Sequence, residues 1–132
     1  MTIARFKDLC VDVSSPSEMA AFWAQVIGLT APADNPNVLV GDVPEKTIWM
    51  CKVPETKSVK NRVHLDVNTA TIANLERYGA TVEESATEEQ QWTVLTDPEG
   101  GEFCGFIRDP VPSYRLVELV VDSVHPEAQA RW

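Results

Sequence analysis

Arg62, His64 and Asp66 alternate with Val63, Leu65 and Val67 in the run R-V-H-L-D-V. Side chains of an extended strand point to opposite faces in turn, so three ionisable groups share one face and three aliphatic groups the other. An imidazole beside a carboxylate can move a proton. His64 therefore reads as a general base or hydrogen-bond donor tuned by Asp66 or Asp12, or else as a structural histidine satisfied in a polar network. Arg62 suits a clamp on a ligand carboxylate or phosphate, or a pair with Asp8. Asp12 and Asp66 are placed for paired acid–base work, or to accept hydrogen bonds from turns and helix starts. Trp49, Trp92 and Phe106 can wall a planar or apolar ligand, or can be core. Cys51 and Cys104 read as small cavity-lining residues, since nothing in the sequence marks either as reactive.

These residues need strands and helices to position them. Residues 5–13 alternate, with Leu9, Val11 and Val13 apolar and Asp8, Cys10 and Asp12 opposite. Ser15-Pro16-Ser17-Glu18 then reads as a helix start, with Ser15 as N-cap and Glu18 closing a capping box. Met19, Phe22, Trp23, Val26 and Ile27 fall on one helical stripe, and Gly28 supplies a left-handed stop. Residues 30–37 are turn-rich, with at most a short strand. Residues 37–41 and 46–53 read as strands around Gly41-Asp42-Val43-Pro44. Residues 53–62 form a basic, proline-marked linker in which Lys57 and Lys60 are expected to be solvated.

The pattern then restarts. After strand 62–67, residues 69–78 predict a helix stopped by Gly79, followed by strands at 80–84 and 92–96. Asp97-Pro98-Glu99-Gly100-Gly101 is a turn signal. Residues 102–107 predict a closing strand with Glu102, Cys104 and Phe106 on one face. Leu9-Cys10-Val11-Asp12-Val13 lies over Val63-His64-Leu65-Asp66-Val67, and Trp49-Met50-Cys51 over Glu102-Phe103-Cys104. Two repeated modules follow from this common order. The tail repeats the opening once more: Leu119, Val121, Asp122, Pro126 and Ala130 match Leu9, Val11, Asp12, Pro16 and Ala20, and Trp132 falls over Phe22. Residues 111–132 thus predict the start of a third module, in a natural chain that continues further.

The chain has 132 residues, 44% of them hydrophobic, and a net charge of −9. That length and composition fit one domain with a real core. The acidic balance argues against nucleic acid or an anionic membrane as partner, and no apolar run is long enough to span a bilayer. Three cysteines without metal-type spacing read as reduced thiols, which makes the cytoplasm the expected location. There is no nucleotide-binding glycine loop, serine-nucleophile elbow or zinc-protease helix.

The paired modules, with V-P-E-x-K-x-x-K-N-R-x-H-L-D at residues 53–66 and D-P-E-G-x-E-F-C at 97–104, resemble the vicinal oxygen chelate superfamily, and within it the glyoxalase-like or bleomycin-resistance-like domains. The resemblance covers about residues 3–108. It implies an α+β fold of two βαβββ modules, about 3–54 and 60–108, forming a cupped mixed sheet with the helices outside, within a domain of residues 1–110. In metal-dependent members the first and last strands of each module each give one ligand. Carried onto this chain, those places are Asp8, Cys51, Arg62 and Cys104. Arginine offers no lone pair, and two thiolates suit zinc better than a hard ion, so neither a metal nor any other cofactor is expected. The resemblance implies a small-molecule binder, using Arg62, Asp8, Asp12, Trp49, Cys51, Trp92, Cys104 and Phe106 around His64 and Asp66. The alternative is a lyase, isomerase or dioxygenase-like enzyme, with or without a metal, with His64 as acid–base and Asp66 orienting it. Homodimerisation through an unpaired edge at residues 115–121 is expected.

Overall fold

The structure, a computed structural model, describes residues 5–131. The chain forms two compact units, Met1–Thr56 and Lys57–Trp132.

In the first unit, β1 (Leu9–Val13) leads into helix α1 (Pro16–Ile27), followed by β2 (Val38–Leu39), a 3-10 turn (Pro44–Lys46) and β3 (Ile48–Lys52). The sheet order is β1-β3-β2, with β1 parallel and β2 antiparallel to β3. Pro16 opens α1, where its missing N–H breaks no helical bond. Met19, Phe22, Trp23, Val26 and Ile27 are all buried, as their spacing predicts. Gly28 ends the helix at φ 83°, and its N–H donates to the carbonyl of Ala24. The helix packs on β2 and β3. Ile48 and Met50 face the core, while Trp49 is 38% exposed on the other side. The turn-rich stretch before β2 gives a single bridge, Thr30 to Val40, rather than a full strand. Pro32 and Pro36 lie within it, and proline cannot donate to a ladder.

The second unit repeats the plan with a fuller sheet. It runs β4 (Val63–Thr69), α2 (Ile72–Tyr78), β5 (Thr81–Glu84), β6 (Thr93–Thr96), β7 (Glu102–Ile107), β8 (Leu116–Val121) and α3 (Pro126–Ala130). The order is β5-β6-β7-β4-β8. β4 and β7 are parallel, as the crossover through α2 requires, and the other pairs are antiparallel. Thr71 caps α2 by accepting the Asn74 N–H at 3.3 Å, and Gly79 ends it at φ 118°. Leu65, Val67, Leu75, Leu95 and Phe103 form the core beneath α2. The helix sits so close to β7 that a Cβ on Gly105 would lie 2.9 Å from Leu75 Cδ1 and 3.1 Å from Leu95 Cδ1.

The tail does not stand apart. β8 pairs antiparallel with β4, so the edge expected to be free is half used; the outer edge of β8 ends the sheet. α3 starts at Pro126, the residue that the sequence pattern sets over Pro16. Trp132, the expected counterpart of Phe22, lies outside the described residues.

Leu75 is 1% exposed at the contact between α2 and β7. Leu75→Ala is expected to lower unfolding free energy by about 2–5 kcal/mol, because the lost transfer energy adds to a cavity that a short helix fills poorly. Urea denaturation measures this. A loss under about 1 kcal/mol would mean that α2 is not anchored there.

Candidate functional site

Four strands of the second unit present their even-numbered residues on one face. The register places Glu118, Asp66, Cys104 and Val94 side by side across β8, β4, β7 and β6. Val120 stands opposite His64, and Phe106 opposite Asn68. Over this face lies a cavity of about 460 Å³. Its base is His64, Asp66 and Cys104; Trp92, Val94 and Phe106 wall one side; Glu118, Val120 and Asp122 wall the other; and Lys60 and Glu102 also line it.

His64 Nε2 lies 3.4 Å from Asp66 Oδ1. Asp66 is 8% exposed, and its Oδ1 accepts no hydrogen bond. Burial pushes the Asp66 carboxyl above the ordinary carboxylate range; His64 opposes this, and Glu118, directly across the β4–β8 ladder, adds to it. The Cys104 thiol is pushed up to about 11, first by burial and then by Asp66, to which it is hydrogen-bonded. It is therefore a neutral thiol at physiological pH rather than a nucleophilic thiolate. Trp92 and Phe106 have ring centroids 6.1 Å apart at a 36° tilt. Arg108 sits over the Phe106 ring at 5.4 Å, so Trp92 offers the freer aromatic surface.

The turn before β7 is built by Asp97, whose Oδ1 accepts N–H groups from Glu99 at 2.9 Å and Gly101 at 2.8 Å. Gly100 takes the left-handed conformation at φ 81°. This turn sets where Glu102, Cys104 and Phe106 emerge. Glu102 is held at both oxygens, by Lys57 Nζ at 2.8 Å and by the Asn61 N–H at 3.1 Å. Lys60 reaches Asp122 at 2.5 Å. The two lysines of the linker are thus anchored to the site's rim, although the linker's composition predicts solvated side chains; the carboxylates that hold them are distant in sequence.

The sequence-derived candidates separate into groups. His64, Asp66, Trp92, Cys104 and Phe106 come together in the second unit's cavity. Arg62 does not line it: the residue is exposed, and its guanidinium donates to the Asp122 carbonyl at 3.2 Å. Asp8, Asp12, Trp49 and Cys51 belong to the first unit. There Asp8 pairs with Lys7 and accepts Trp49 Nε1–H at 3.1 Å. Asp12 stands opposite Cys51, whose thiol is pushed up first by burial and then by its bond with Cys10. The residues beside the last-strand cysteines are thus Asp12 in one unit and Asp66 in the other. The residues that sequence reasoning missed are Glu118, Val120 and Asp122 on β8 and its end. Their signal was present: the fixed offset that matches the tail to the first module sets Val120 over Cys10 and Asp122 over Asp12.

The family described as a glyoxalase-like domain matches residues 8–106. The chain belongs to the glyoxalase-like domain family. Solved structures show the same fold. A glyoxalase/bleomycin resistance protein/dioxygenase family enzyme from Burkholderia phytofirmans PsJN is 20% identical, with TM-score 0.59, over 77% of this chain and 97% of that one. A glyoxalase/bleomycin resistance protein from Albidiferax ferrireducens T118 is 18% identical, with TM-score 0.55, over 78% and 98%. A glyoxalase-related enzyme from Fulvimarina pelagi is 12% identical, with TM-score 0.54, over 88% and 99%. No curated protein matches. At these identities the likeness shows the glyoxalase/bleomycin-resistance/dioxygenase fold, and the fold alone does not decide the chemistry. No helix among the described residues is long and apolar enough to cross a membrane.

Metal-dependent relatives in this superfamily raise the question of whether the residues of this glyoxalase-like domain could hold an ion. His64, Asp66 and Cys104 each offer a ligand atom within 4.8 Å of the others. One nitrogen, one oxygen and one sulfur suit a borderline ion such as zinc, and suit magnesium or manganese poorly. Arg62 plays no part in this set. Binding there would first require the Cys104 thiol to lose its proton, against the burial that holds it.

Burial raises the Glu102 carboxyl, but its bonds to Lys57 and Asn61 outweigh that, and the net shift is downward from 4.5. A lowered carboxylate stabilises the fold above its unfolded pKa, and that contribution is lost as pH falls through the folded value. Lys57→Met is therefore expected to cost about 1 kcal/mol at neutral pH, with the deficit closing below about pH 4. Thermal unfolding across that range checks it; a deficit that persists in acid would assign the effect to packing of the lysine stem.

Proposed function

We propose that this glyoxalase-like domain binds a small organic molecule in the cavity over β4, β7 and β8, without needing a metal, in the cytoplasm. The observation that carries this reading is the cavity itself: about 460 Å³, with an apolar wall of Trp92, Val94 and Phe106 facing the polar group His64, Asp66 and Cys104. That volume and that mixture, mostly apolar with a few converging polar groups, are what small-molecule sites have. The three free thiols support an intracellular setting.

Thermal shift against a diverse fragment collection tests the reading. Ligands are expected to raise the melting temperature through preferential binding to the folded state. Trp92→Ala is expected to weaken them by roughly tenfold, as loss of a stacking surface should, while leaving the fold intact, since Trp92 is 37% exposed. Hits whose affinity ignores Trp92 would place binding elsewhere.

A second reading, an enzyme, is favoured by one specific observation. His64 Nε2 and Asp66 Oδ1 are 3.4 Å apart at the base of the cavity, close enough for the carboxylate to orient the imidazole and support the proton it gains. In that case His64 moves the proton and Asp66 holds it in register, with Trp92 positioning the substrate. His64, Asp66 and Cys104 are also the residues that would hold zinc, which when bound would supply Lewis acidity. Under this reading a hit from the fragment screen is chemically altered on incubation, and His64→Gln abolishes that change while keeping the melting temperature within a few degrees. Ligands recovered unaltered, with wild-type and variant alike, would leave the binding reading.

A further inference from the structure

The charges around the cavity do not balance. Its lining holds the carboxylates of Asp66, Glu102, Glu118 and Asp122 and a single lysine, Lys60. Two of the four carboxylates have a cation of their own: Glu102 has Lys57 at 2.8 Å, and Asp122 has Lys60 at 2.5 Å. Among the described residues no lysine or arginine pairs with Asp66 or Glu118. These two face each other directly across the β4–β8 ladder, where like charges repel. Arg62, the nearest arginine in sequence, is drawn to the Asp122 carbonyl, and Arg108 lies on Phe106. Only His64 remains, and its single charge, when protonated, leaves the pair short by one.

A second, independent observation points to a ligand. Asp66 is 8% exposed and lines the cavity, yet its Oδ1 accepts no hydrogen bond. A buried carboxylate oxygen without a donor is costly, and retaining one beside a second carboxylate makes sense where a donor arrives from outside. Opposite this pair the cavity offers the Trp92 indole and the Val94 side chain, an apolar and aromatic surface that also attracts a cation.

We infer that the cavity takes an organic cation, a protonated amine on a flat apolar or aromatic body, with the ammonium between Asp66 and Glu118 and the body against Trp92 and Val94. The inference rests on the small-molecule reading and names its ligand class. It reverses the polarity that Arg62 suggested, because the guanidinium turns away and two carboxylates stand in its place.

Three probes of one shape separate the possibilities: 2-phenylethylamine, the neutral 2-phenylethanol and the anionic phenylacetate, each titrated into the full chain and followed by tryptophan fluorescence and by amide chemical shifts. The amine is expected to bind at least about tenfold more tightly than the alcohol, the worth of a charge-assisted hydrogen bond, with the anion weakest. Its affinity should fall as salt rises. Glu118→Gln, at an exposed strand position, is expected to remove about tenfold of the amine's affinity and leave the alcohol's unchanged. Asp66→Asn should do the same, and serves as the second variant if one of the two fails to fold. Equal or tighter binding of alcohol or anion would overturn the charge inference and leave the small-molecule reading standing. No shift in cavity residues with any probe, and none in the fragment screen, would overturn both. Stoichiometric Co(II) uptake with thiolate-to-metal absorption that is lost in Cys104→Ser, and that blocks the amine, would also overturn it, by assigning the carboxylate to a metal.

Discussion

The site depends on one constraint: β4 is hydrogen-bonded on both edges, to β7 in parallel and to β8 antiparallel. A strand so held cannot rotate or slip by one residue without exchanging its two faces. Leu65 and Val67 are locked against the core under α2, so His64 and Asp66 must face the other way. The apolar half of the alternation thus forces the polar half into position. Burial of Asp66 follows from the packing of its neighbours, and His64 and the Cys104 thiol relieve that burial only in part.

The same logic explains why the rim is so heavily tied. Glu102 and Asp122 lie at the end of the sheet where β7 begins and β8 finishes, and each takes a lysine from the linker that leads into β4. The linker has no regular structure over most of its length, so these two ion pairs, the Asn61 N–H on Glu102 and the bonds between Arg62 and Asp122 hold it against the sheet. Surface pairs contribute little stability individually. Their larger effect here is to use up the rim's positive charge and leave the centre acidic. Asp66 and Glu118 sit where no lysine or arginine of the described residues reaches, opposite an aromatic wall, and this separation of neutralised rim from unneutralised centre gives the cavity its polarity.

Comparison of the two units shows how repeated strands diverge in chemistry. Cys10, Asp12 and Cys51 occupy in the first unit the places that His64, Asp66 and Cys104 occupy in the second, by the same parallel register between first and last strand. The first set has two thiols and no imidazole, and β1 has a partner on one edge only within its sheet. In the second unit β8 supplies the missing edge and with it Glu118 and Val120. An added strand, rather than a new motif, converts a polar strand face into a walled cavity.

Much of this was determined by the sequence alone. Alternation at residues 62–67 separated the polar face from the buried one, helical spacing marked Met19, Phe22, Trp23, Val26 and Ile27 as core, Gly28 and Gly79 marked helix ends, and the repeat of Leu9–Val13 at residues 63–67 showed two modules and the family to which they belong. These are local or periodic signals, carried by residues a few positions apart. Which strand lies beside β4 is a different kind of fact. Pairing of Asp66 with Glu118, 52 residues along by their numbering, depends on the register of two ladders, and no local pattern encodes it. The tertiary structure alone therefore decided that Arg62 leaves the site, that Lys57 and Lys60 neutralise its rim, and that β8 closes it. Electrostatic partners are chosen by distance in space, and distance in space is set only after every strand has found its neighbour.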